Sequence, residues 1–180
     1  QQAAQLYEAI GHSYYQFRSL LNTLDGSILN NDKPLADSIL TCCRSEIEKH
    51  PDYEASLLSY ILSYTITFGS DEEIRTAIES CLDKKNLSRN AKLKMALGYS
   101  KIGEAEKALQ IFAEASPSNS LSYLAIQMQV LKSNEKYKEA LDAYQSYSNT
   151  LEKKHLDIFS QDLLFAQEKH DLEMASLKET

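Results

Sequence analysis

The side chains best suited to nucleophilic or metal chemistry in this chain are Cys42, Cys43, Cys81, His12, His50, His155 and His170. A structural zinc site needs about four such ligands at close spacing, and neither a C-x-x-C pair nor an H-E-x-x-H helix is written here. Glu168, His170 and Glu173 could meet on one helix face, but a solvated charged face accounts for them better than a metal site. Cys42 and Cys43 are adjacent, and bridging them would strain the peptide between them. The odd cysteine count argues against a disulfide scaffold and leaves the redox compartment open. A phosphate-cradling loop needs clustered glycines, and the five glycines are scattered. Ser and Asp are abundant, but no Ser-His-Asp triad can be nominated without geometry. The residues therefore name no catalytic group, no metal and no cofactor, and the reading is that the chain is not an enzyme.

Charge and composition narrow the remaining classes. A net charge of -7 repels phosphate backbones, and the basic residues occur only as short pairs such as Lys84-Lys85 and Lys153-Lys154. Nucleic acid is thereby disfavoured as a partner. The longest apolar stretch, residues 55–68, is interrupted by Ser, Thr and Tyr and is shorter than a bilayer requires, so this stretch reads as a buried helix, not a membrane span. With five Gly, three Pro and no Trp among 180 residues, the composition is that of a helical protein. The chain opens at Gln1 without Met or an apolar signal segment, and is read as either a processed mature chain or a piece of a longer one.

The elements that must position any site repeat themselves. A helical stripe at i, i+3, i+4, i+7 recurs as Leu35, Ser38, Ile39, Cys42; Ile74, Ala77, Ile78, Cys81; Ala105, Ala108, Leu109, Phe112; and Tyr137, Ala140, Leu141, Tyr144. The second position is small each time, which lets two helix backbones approach. These small residues fall 39, 31 and 32 positions apart. In this register Cys42 and Cys81 are small buried hydrophobes and Cys43 is less constrained. Start and stop signals divide the chain into helix pairs. Asp32 caps a helix with Pro34 in its first turn, and His50-Pro51 ends it. Asp52 is expected to cap the next, which stops at Gly69. Ser70 with Glu73 forms a capping box, and Ser88 opens a helix ending near Gly103. Residues 116–119 and Ser133-Asn134 punctuate the rest. Tyr60, Tyr64, Tyr99, Tyr123, Tyr137, Tyr144 and Tyr147 fit inter-helix packing with a hydroxyl at the rim.

This spacing resembles the tetratricopeptide repeat, a 34-residue helix pair. The family's first-helix pattern is approached by Tyr7, Ile10, Gly11 and Tyr14, and more loosely by Leu97-Gly98. Its second-helix pattern is met by Ala108 with Phe112 and by Ala140 with Tyr144. The match is best over 91–147, fair over 52–83 and poor before that. The interval from Tyr14 to Leu35 is longer than one repeat allows between its two helix patterns, so the first unit is either insertion-bearing or the remnant of two. The consensus proline at the repeat end is missing or shifted. The fold class implied is all-α, an α-α superhelix of antiparallel helix hairpins over 1–150, followed by a C-terminal helix over 151–180. Along that last helix Leu156, Phe159, Leu163, Ala166, His170, Glu173 and Leu177 draw a narrow stripe. It is either a capping helix over the last hairpin or a connector. Such a tail resembles the segment before the membrane span of Bacteroidetes-type regulators, whose repeats are extracytoplasmic.

Carrying over the family's groove by register gives Glu8, His12 and Tyr15; Leu62 and Ile66; Leu93 and Leu97; and Ala125, Gln129 and Lys132. The set lacks the arrangement of the family's carboxylate-clamping members, so a chaperone tail is not implied. What the resemblance implies is a non-enzymatic module that recognises a protein or peptide, the sensory part of a signalling regulator of transcription, on the periplasmic side of a membrane-anchored parent. A cytoplasmic setting stays open. So does a structural alternative, a scaffold or homodimer formed through the C-terminal helix.

Overall fold

The computed structural model describes residues 2–82, 84 and 87–178, with side chains described for 13–82, 84 and 87–169. Among the described residues the protein is all-α, with eight α-helices and no strand. Two compact units divide at Ser116 and Pro117.

In the first unit, α1 (Gln2–Leu29) runs unbroken through the region where the sequence implied an insertion or two remnants. Phe17, Leu21, Leu24 and Ile28, three and four residues apart, bury one stripe. The chain turns at Asn31, whose φ of 57° lies in the left-handed region that Asn tolerates. Helix α2 (Lys33–Lys49) starts where expected, with the Asp32 carboxylate accepting from the Leu35 N–H at 3.1 Å and Pro34 in the first turn. Its buried stripe differs from the expected one. Ala36, Leu40 and Cys43 are buried, whereas Leu35, Ser38 and Cys42 are exposed. The register is one residue later, because that rotation directs Ala36 and Leu40 into the apolar cluster formed by α1 and Leu57. The small buried thiol is therefore Cys43 and the exposed one Cys42.

After Pro51 the chain makes one 3₁₀ turn, Pro51–Tyr53, before α3 (Glu54–Phe68), so Asp52 lies inside that turn and does not cap the helix. Tyr53 closes this corner, stacked between the Phe17 ring at 4.9 Å and the His50 ring at 5.0 Å. Helix α3 stops at Gly69, whose N–H reaches back to the Thr65 carbonyl.

Helix α4 (Asp71–Leu82) opens with the expected reciprocal box. The Ser70 N–H donates to Glu73 Oε2 at 2.7 Å and the Glu73 N–H to Ser70 Oγ at 3.3 Å. Three acids, Asp71, Glu72 and Glu73, then sit against the positive end of the helix dipole. Helix α5 (Arg89–Lys101) is capped by Ser88, and α6 (Ala105–Ala113) follows a turn in which Gly103 takes a φ of 79°.

Each helix pairs with the next across a short turn, α1 with α2, α3 with α4 and α5 with α6. The first members also touch in order, α1 on α3 and α3 on α5. Three helices come close together at Gly98 of α5. A β-carbon there would lie 2.9 Å from Ile78 and 3.2 Å from Ile74 of α4, and 3.5 Å from Ile66 of α3. Only a residue without a side chain admits the three isoleucines, which is what Leu97-Gly98 contributes to packing. Polar ties reinforce the stack. The Lys101 ammonium donates to the Ile66 carbonyl in the last turn of α3, and Glu104 accepts from Arg75 of α4 and from Lys107.

In the second unit, α7 (Leu121–Ser133) is capped by Ser120, and the chain reverses through Glu135, with φ at 57°, into α8 (Tyr137–Lys178). Tyr123, Leu124, Ile126 and Val130 of α7 are buried, and Ala143 of α8 is buried with them. The stripe expected here, Tyr137, Leu141 and Tyr144, is exposed instead. Helix α8 turns its small residues to α7, so the larger ones face outward. The boundary expected at 150 falls within this single unbroken helix.

Candidate recognition groove

The first-position helices of unit 1 leave a cavity of about 310 Å³ along α1, α3 and the start of α5. From α1 it takes Tyr14, Arg18 and Asn22, which stand at i, i+4 and i+8 and so share one stripe. From α3 it takes Ser56, Ser59 and Tyr60, and from α5 Asn90. Asn90 lies two residues after the Ser88 cap, so the capping that starts α5 also places Asn90 on this wall. Lys94 follows one turn later along the same stripe of α5.

Electrostatics distinguish this wall from the rest of an acidic surface. The lining includes one charged side chain, Arg18, and among the described residues no carboxylate lies within ion-pair distance of Arg18 or of Lys94. Burial pushes the Lys94 ammonium below the usual lysine range, while Asp25 acts in the opposite direction. The Tyr60 hydroxyl is raised, first by burial and then by the charge of Asp25, with Arg18 opposing. Asp25 thus acts on both Tyr60 and Lys94, and Arg18 acts on Tyr60. A second cavity of about 420 Å³ lies over α3 between α2 and α4 and is lined by charges of both signs, Lys33 and Arg44 with Glu72 and Glu73. Its lysine is already engaged, since Lys33 Nζ meets Asp37 Oδ2 at 2.8 Å and donates to the Tyr64 hydroxyl at 3.0 Å.

The residues carried over by resemblance are placed differently from one another. Leu62, Ile66 and Leu93 are 1%, 9% and 3% exposed and belong to the core, so they offer no free surface. Burial of these apolar residues selects a rotation that brings their polar neighbours Ser59, Tyr60 and Asn90 to the wall. Leu97 is half-buried. Tyr15 is 73% exposed and meets Tyr14 edge-on at 6.3 Å. The side chains of Glu8 and His12 lie outside the described residues. In unit 2, Ala125 is half-buried and Gln129 and Lys132 are exposed. Sequence reasoning missed Arg18, Asn22 and Asn90. The signal that could have found them is a polar ladder at four-residue steps, Tyr14-Arg18-Asn22 and Asn90-Lys94, on helices that also carry an apolar face.

The arrangement supplies hydrogen-bond donors and acceptors and a positive centre. Among the described residues no three His, Cys, Asp or Glu side chains come together as a metal site. His170 and Glu173 of the acidic face considered above lie outside the residues whose side chains are described. Cys43 is buried and its thiol is pushed up to about 11, chiefly by burial, which makes it a poor nucleophile near neutrality. Comparison of the chain with protein-family models, with curated proteins and with solved structures finds no match.

Proposed function

We propose that this protein is a non-enzymatic recognition module whose α1–α3–α5 wall binds an extended protein or peptide segment carrying an acidic side chain. The observation that carries this reading is the groove, to which three helices contribute hydrogen-bonding side chains around Arg18, a cation without a carboxylate partner among the described residues. In a chain of net charge -7 such a positive patch repels anions less than its surroundings do and can pair with one. An extended polypeptide suits a wall assembled from successive helices, because each helix adds one set of contacts along the ligand.

The contact order of α1, α3 and α5, and the glycine at the α4–α5 approach, support a tetratricopeptide-like solenoid as the frame. That resemblance supports in turn a sensing role within a larger signalling regulator. In that setting the groove is the input, and the parent's membrane anchor sets its compartment.

The test is to pan a displayed library of random peptides against the protein and to titrate the enriched peptides by calorimetry. The expected result is enrichment of Asp or Glu, with Arg18→Glu weakening binding by at least about tenfold, the scale of one charge-assisted hydrogen bond. Peptides without acids, or peptides that bind Arg18→Glu as well as the native chain, would overturn the reading. Helicity measured by circular dichroism confirms that the variant is folded.

A further inference from the structure

Helix α7 has 13 residues and α8 has 42, so within unit 2 the first helix can cover only the opening third of the second. Residues 156–166 lie past that cover, yet their composition is that of a buried segment. Leu156, Ile158, Phe159, Leu163, Leu164 and Phe165 are between 47% and 71% exposed. At 100° per residue, Phe165, Ile158 and Leu164 lie within about 60° of the line by which Ala143 meets α7. Phe159, Leu163 and Leu156 lie about 140–160° from that line, on the opposite side of the helix. A helix apolar around its whole circumference is ordinarily buried. Taking roughly 150–200 Å² per side chain, these six leave on the order of 600 Å² of apolar surface open on each chain, the upper end for a patch on a monomer.

We infer that this segment of α8 seats the same segment of a second copy of the chain. Three features select that occupant. Leu156, Phe159, Leu163 and Ala166 are spaced by three, four and three residues, the seam spacing of paired helices, and a copy presents an identical seam. Charge permits self-association here although the whole chain is at -7: residues 152–169 hold Glu152, Asp157, Asp162 and Glu168 against Lys153, Lys154 and Lys169, a balance of -1. Area is also adequate. A stable interface takes about 800 Å² per partner. Leu141, which is 64% exposed, lies five turns before Phe159 on the same line of the helix, with Tyr137 and Tyr144 beside it, so the seam can extend to that size.

Sedimentation equilibrium on the full chain across a concentration series tests this. The native chain is expected to approach twice 20.4 kDa at the upper end of the series, and Phe159→Glu/Leu163→Glu to remain at 20.4 kDa with unchanged helicity. Should the acidic pair lower helicity, Phe159→Ser/Leu163→Ser is expected to shift the dimer–monomer midpoint upward by at least about tenfold, each truncated apolar side chain contributing on the scale of a kcal/mol or more. A native chain that stays at 20.4 kDa throughout, or a dimer that survives these substitutions unchanged, overturns the inference.

Discussion

Helices α4 and α8 carry the same stripe and make opposite use of it. In α4, Ile74 and Ile78 are 0% exposed and Cys81 is buried beside them. In α8 the corresponding Tyr137, Leu141 and Tyr144 are 64%, 64% and 56% exposed. The difference lies in what faces each helix. Gly98 of α5 lets a neighbouring backbone close onto Ile74 and Ile78, with Ile66 of α3 alongside. Helix α8 meets α7 through Ala143 and presents its large side chains outward. An amphipathic stripe declares that a helix has an apolar face, and the neighbour decides whether that face becomes core.

The sharpest break of this comparison is Ile78→Ala against Leu141→Ala. The first empties a closed site between α4 and α5 and is expected to cost about 2–5 kcal/mol in urea unfolding. The second removes an exposed side chain and, measured on monomeric protein, is expected to stay within about 0.5 kcal/mol. Gly98→Ala comes next. Its methyl group must displace Ile78 or Ile74, so a loss of about 1–3 kcal/mol is expected even though alanine is the better helix former. The smallest effect is chemical. Alkylation of the native protein near neutral pH should modify Cys42 alone, because Cys43 and Cys81 are buried and burial raises both thiols. For these two thiols the folded state favours the protonated form. Their contribution to stability is therefore intact below the ordinary thiol pKa and falls as pH rises above it, for Cys43 up to about 11. Mass spectrometry after partial digestion reads the sites, and prior labelling of Cys43 would contradict the one-residue rotation of α2.

Much of the fold could be read from local chemistry. Asp32, Ser88 and the Ser70–Glu73 box act within one helical turn, so residue identity nearly determines their role, and each is found capping. Rotation about a helix axis is set by partners distant in sequence. The choice between Ser38 and Ala36 as the inward residue of α2 depends on Leu24 and Leu57, which no local pattern contains. The groove suffered from the same dependence. Family register pointed to Leu62 and Leu93, but the packing of α3 and α5 consumes those residues and turns Tyr60 and Asn90 outward. Asp52 was misread for another reason, since Pro51 starts a 3₁₀ turn that absorbs the residue before α3 begins.

Amide hydrogen exchange, followed at a concentration where the chain is monomeric, most directly tests whether the neighbour decides what a helical stripe becomes. The account predicts strongest protection in α3, α4 and α5 around Gly98, and exchange close to that of an isolated helix over residues 152–169. Equal protection of the two regions in the monomer would contradict it.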